Sequence, residues 1–126
     1  MADAVVTHVA RKKMVMARSG EAELAPIVGM VFGIGGVDAD GQPVCPSEMD
    51  TGLKNEVYRK AVDSHLHISD TTCRYLCTLT TDECVNEDIS EIGLYDSDGD
   101  IIAIRTFKAK GKDADIEMTF QIDDIF

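Results

Sequence analysis

The sequence predicts an α+β fold, an N-terminal helix followed by a mostly antiparallel β-sheet or sandwich. Three observations predict it. Apolar residues recur at helical spacing over residues 3–19. They alternate with period two in the segments after Tyr58. The second half leaves no room for the crossover helices of parallel winding.

The helix is read from Val5, Val6, Val9, Ala10, Met14 and Ala17, with basic residues toward its C-terminal half and Gly20 as its stop. Pro26 then introduces Ile27–Phe32, a continuous apolar run with the length of a strand buried on both faces. Residues 33–52 collect glycine and proline and read as loops, with Asp50 or Thr51 capping a short helical turn through Asn55 and Glu56. Val62, Ser64, Leu66 and Ile68 share one face of an extended segment, and Asp70-Thr71 turns the chain. Cys73, Tyr75, Cys77 and Leu79 line one face of the next strand. Ile89–Tyr95 and Ile101–Phe107 flank an Asp-Gly at 98–99, a strong hairpin signal. Lys108–Asp113 reads as a turn. The last strand points Ile116, Met118, Phe120 and Ile122 inward.

A chain of 126 residues is expected to form one domain, 1–126, with its own core. The net charge of −11 repels phosphate, so neither nucleic acid nor an anionic membrane is an expected partner. Arg11, Lys12, Lys13 and Arg18 make one basic cluster. It is either the solvated face of the helix or a handle for the acidic part of a neighbouring copy. No apolar run reaches membrane-spanning length. Four cysteines, none in a Cys-x-x-Cys pair, are expected to be reduced, intracellular and buried as small hydrophobes.

Chemistry finds little to work with. Gly33-Ile34-Gly35-Gly36 lacks the Gly-Lys-Ser/Thr ending of a phosphate loop and reads as a turn. Asp96, Asp98 and Asp100 match the first ligand positions of a calcium loop. Gly99 is out of place, however, and Phe107 stands where the closing glutamate belongs, so a hairpin turn accounts for them better. His65, His67, Cys73 and Cys77 raise zinc. One straight strand holds the two thiols roughly 13 Å apart, too far for one ion, which leaves the two histidines with one cysteine from a neighbouring strand, less expected than plain strand filling. His8, His65 and His67 lie in no nucleophile motif, and the carboxylates all read as exposed or in turns. No catalytic residue, metal site or cofactor is therefore expected.

Three stretches together carry a resemblance: Ile27–Gly36 (IVGMVFGIGG), Leu53–Arg59 (LKNEVYR) and Ile89–Ala103 (ISEIGLYDSDGDIIA). In that order and at about this spacing they resemble the N-terminal domain of phage tail fibre proteins of the tail-collar type. The third stretch is the most specific. The resemblance implies a non-enzymatic structural component of a phage or prophage tail. Such a component attaches a fibre to the tail or baseplate by protein–protein contact, usually as a homo-oligomer and typically a trimer. Its partners are other tail or baseplate proteins, and its location is the virion tail after a cytoplasmic stage. The positions carried over are Gly33, Asn55, Glu56, Arg59, Glu91, Gly93, Tyr95, Asp96 and Gly99, as fold-signature positions.

Several of these have physical readings. Gly93 marks a bulge or close backbone approach, and Gly99 supplies a positive φ. Glu56 and Arg59 pair on a helical turn, and a buried Glu91–Arg59 pair joins two elements. Ile34 stands where the family often carries an acid. With no shaft or tip following Phe126, the expectation is a stand-alone tail component or an adhesive part on another chain. The exposed-looking Ile125 and Phe126 suit an interface or the end of a core strand. The alternative is a small binding module, for carbohydrate or calcium, using the 33–52 loops and the 96–100 acidic turn. Its aromatic platform is limited to Tyr58, Tyr75 and Tyr95.

Overall fold

Two antiparallel sheets face each other across a shared apolar core in the computed structural model, which describes residues 4–126. The elements in chain order are β1 (Val5–Val6), α1 (His8–Arg18), β2 (Ile27–Gly33), β3 (Glu56–Ala61), β4 (Ser64–Ser69), β5 (Thr72–Leu79), β6 (Glu87–Asp96), β7 (Ile101–Lys112) and β8 (Met118–Ile125). The larger sheet runs β1-β7-β6-β2-β3 and the smaller β4-β5-β8. Every strand pairing is antiparallel.

The expected α+β class is therefore corrected to a mostly antiparallel β fold with one short helix. The reason lies in the first residues. Val5 and Val6 are β-branched and pair with Ile104 and Ala103 on the edge of β7 instead of opening a helix. Thr7 then takes an extended conformation and caps α1, its hydroxyl accepting from the Ala10 N–H at 3.2 Å and donating to the Ile101 carbonyl at 2.7 Å. The helix has 11 residues where 3–19 predicted more, and residue 3 lies outside the described residues. Its only buried residue is Ala10, so it forms no layer of its own.

The core lies between the sheets. Met30, Phe32, Ile92, Leu94, Ala103 and Phe107 come from the larger sheet, and Cys77, Leu79, Phe120 and Ile122 from the smaller. Phe120 meets Phe32 edge-on, centroids 5.5 Å apart, and stacks on Phe107 at 5.8 Å. A second, smaller core of Val31, Ile101 and Ile104 sits on the other face of the larger sheet, with Leu53 and Tyr95 against it. This is why Ile27–Phe32 reads as a continuous apolar run: β2 is covered on both faces.

Four local expectations are corrected. No helical turn forms at 50–56, because Glu56 begins β3 opposite Gly33. Lys108–Lys112 continues β7, its ladder resuming past a bulge with Ile89, Asp88 and Glu87, so the turn moves to 114–115. Ile116 precedes β8 and is exposed, and the inward set is Met118, Phe120, Ile122 and Asp124. The strand expected from Val62 to Ile68 starts at Ser64, and β4 is exposed along its whole length. Of the cysteines only Cys77 is buried; Cys73 and Cys84 are half-buried and Cys45 is exposed.

Candidate interaction surface

Glu91 organises the outer face of the larger sheet. It is 1% exposed, and a carboxylate taken that far from water needs donors. Three backbone N–H groups supply them: Gly35 at 2.8 Å, Lys54 at 2.9 Å and Asn55 at 2.9 Å. Gly36 adds a bond to the Ser90 hydroxyl at 2.9 Å. The 34–55 loop is thereby fastened over the second core. Gly33 allows this approach, since a Cβ there would lie 2.6 Å from the Glu91 carboxylate and 2.7 Å from the Asn55 carbonyl.

The expected Glu91–Arg59 pair does not form. Arg59 binds the Glu56 carboxylate at 3.0 Å and lies over the Tyr95 ring, 4.7 Å from its centroid. Glu56 and Arg59 do pair, but from strand β3 and not from a helical turn. Gly93 sits where a Cβ would come within 2.9 Å of the Ala103 carbonyl, the close approach expected of it. Gly99 has φ +87° in the turn joining β6 to β7.

Asp96 anchors that turn from below. It is 1% exposed and accepts from the Asp98 and Asp100 N–H groups at 3.1 and 3.0 Å. The expectation that every carboxylate is exposed or in a turn thus fails at Glu91 and also at Asp124, on β8. Asp96, Asp98 and Asp100 are the one group of three potential cation ligands among the described residues. The Lys13 ammonium stands in their midst, 2.6, 3.0 and 2.6 Å from the three carboxylates. Burial would lower its pKa, but the three carboxylates outweigh that and hold it well above the ordinary lysine value. The basic residue offered as a handle for another copy therefore grips its own chain. Arg11 pairs with Glu48 at 3.4 Å. Sequence reasoning named Lys13 in the basic cluster but missed its partners in the same chain, although it lies three residues from Ala10, on the buried side of α1.

His65 and His67 stand opposite Tyr75 and Cys73, and they form no such group with Cys73 and Cys77. The 33–52 loops close on themselves: Val37 bridges Pro43, Asp38 accepts from the Asp40 and Gln42 N–H groups, and Thr106 ties down the Val44 carbonyl. The crevice left beneath them is about 10 Å³, far below the roughly 300 Å³ at which ligand pockets begin.

A further polar node fastens β3 to the segment between β5 and β6. Glu83 accepts from Lys60 at 2.8 Å, from the Thr80 N–H at 2.9 Å and from the Tyr58 hydroxyl. Burial would raise its pKa, but these donors outweigh it and hold the carboxyl at about 2. What stays open is strand edge and apolar surface. β4 bonds only to β5, and Leu66 and Ile68 are 56% and 45% exposed. The cleft between α1 and β8 has a volume of about 220 Å³, with Leu24 and Phe126 at its rim. Exposed strand edges and apolar patches of this kind are where proteins make contact with other chains.

Residues 1–121 match the family of phage tail-collar fibre proteins, in its N-terminal part. No curated protein and no solved structure matches the chain.

Proposed function

The chain belongs to the phage tail-collar fibre protein family, and from that membership we propose that it attaches a fibre to the tail or baseplate by protein–protein contact, without enzymatic activity. The family places the chain among the structural components of a phage tail. In the proposal residues 1–126 form a single attachment domain that assembles as a homo-oligomer, a trimer, after a cytoplasmic stage. Gly33, Asn55, Glu56, Arg59, Glu91, Gly93, Tyr95, Asp96 and Gly99 serve it as fold-signature positions. They keep the outer face of the larger sheet and its hairpin in shape and react with nothing.

The observation that carries this reading is the family match over nearly the whole chain. The open edge and two exposed faces of β4 support it, since an unpaired strand edge is a template for another chain. Two measurements test it. Antibody against the chain should label the tails of purified particles, and analytical ultracentrifugation should return the mass of three chains. A persistent monomer absent from particles would overturn the proposal.

A further inference from the structure

Asp124 is an unusual floor for an apolar cleft. It lies on β8, it is 8% exposed, and among the described residues no donor reaches its carboxylate. Its oxygens are not sealed off in the core; they line the cleft, where an entering cation or donor can meet them. Burial alone pushes its carboxyl upward, with no neighbour acting against it. The cleft above it is walled by Val6, Ala10, Met14, Ile27 and Ile102. The one cation in that wall, Lys13, is engaged by Asp96, Asp98 and Asp100, so the local field stays negative. Tyr75, whose hydroxyl burial keeps in its neutral form, completes the lining near Asp124.

We infer that this cleft is the seat of a lysine or arginine side chain from a second tail protein, its aliphatic stem against Ala10, Met14 and Ile102 and its charge on Asp124. The choice of occupant follows from size and charge. About 220 Å³ is smaller than the roughly 300–1,000 Å³ of small-molecule sites and suits one side chain. Leu24 and Phe126, 51% and 68% exposed, provide an apolar rim that a protein surface would cover. A long basic side chain joins an apolar stem to a cationic head. The inference rests on the attachment reading for the identity of the partner, while the site itself is testable without it.

The experiment titrates the full-length ¹⁵N-labelled protein at low salt with N-acetyl-lysine methylamide and, separately, with its norleucine counterpart, which lacks the ammonium. The lysine probe should shift the Ala10, Ile102 and Phe126 amides and bind about tenfold tighter than norleucine. Asp124→Asn should abolish that preference while leaving the spectrum folded. Equal affinity of the two probes for the wild type, or a lysine preference retained in D124N, overturns the site whether or not the variant is stable. Co-sedimentation with fibre-less tail particles then separates the two readings. If wild type co-sediments but shows no lysine preference, the site falls and attachment stands. If the preference is present but nothing co-sediments, attachment falls and the site stands. If D124N co-sediments as well as wild type, or if light scattering shows an Asp124-dependent self-associated species, the second tail protein is overturned as the occupant.

Discussion

The Lys13 ammonium lies 2.6 Å from the carboxylate of Asp96, a residue 83 positions further along the chain and 1% exposed. One side chain of a short helix thus clasps the turn of the longest hairpin. Removing it leaves a buried anion with only backbone donors. Lys13→Met should cost about 2–3 kcal/mol in chemical denaturation, because a buried charge loses its counter-charge. Millimolar calcium should leave the wild-type melting temperature unchanged and raise that of the variant, where the three carboxylates face no ammonium.

Glu91 is expected to be the least replaceable acid. Glu91→Gln sets an NH₂ group against some of the three N–H donors and should cost about 2–4 kcal/mol. Arg59→Ala loses the Tyr95 contact and a partly exposed ion pair, about 1 kcal/mol. A double-mutant cycle between the two should give a coupling under about 0.5 kcal/mol, since they do not touch. A larger coupling would mean that Arg59 reaches Glu91 after all.

Acid sensitivity should trace to Glu83. Its folded pKa of about 2 lies below the ordinary 4.5, so its contribution is complete above 4.5 and is lost as pH falls toward 2. The stability difference between wild type and Glu83→Gln should shrink over that window when both are unfolded in urea at a series of pH values. A constant difference would show that Glu83 is not the titrating group.

Thiol reactivity should follow the fold. Cys45 is exposed and should react first with a disulfide reagent. Cys77 is buried in the core, its thiol pushed up to about 11 by burial, and should react only at the rate of global unfolding. Fast labelling of Cys77 would place an opening near β5.

The β-rich half was legible because its signals are local. An Asp-Gly between apolar runs specifies a hairpin within a few residues, and Cys73, Tyr75, Cys77 and Leu79 alternate visibly. The errors fall where a distant partner decides. Val5 and Val6 fit a helical stripe equally well, and only the free edge of β7 draws them into a strand. Lys108–Lys112 has the composition of a turn and is strand because Glu87–Ile89 pairs with it. Glu91 was singled out from its sequence stretch, but its partners are backbone N–H groups, which carry no side-chain signature. Asp124 was legible and passed over: the alternation that turns Phe120 and Ile122 inward continues to it, but an acid at an inward position was not read as buried.

The anchoring of the first residues bears on how the polypeptide is born. Thr7 donates to a carbonyl 94 positions later, Val5 and Val6 pair with residues 103–104, and Lys13 waits for Asp96. During translation residues 5–13 leave the ribosome before β7 and have nothing to dock on until it has followed them out. Nascent chains cut short before residue 101 should hold β2 through β6 without the clasp of residues 5–13, and any factor that shelters emerging polypeptides meets this one with that segment still loose.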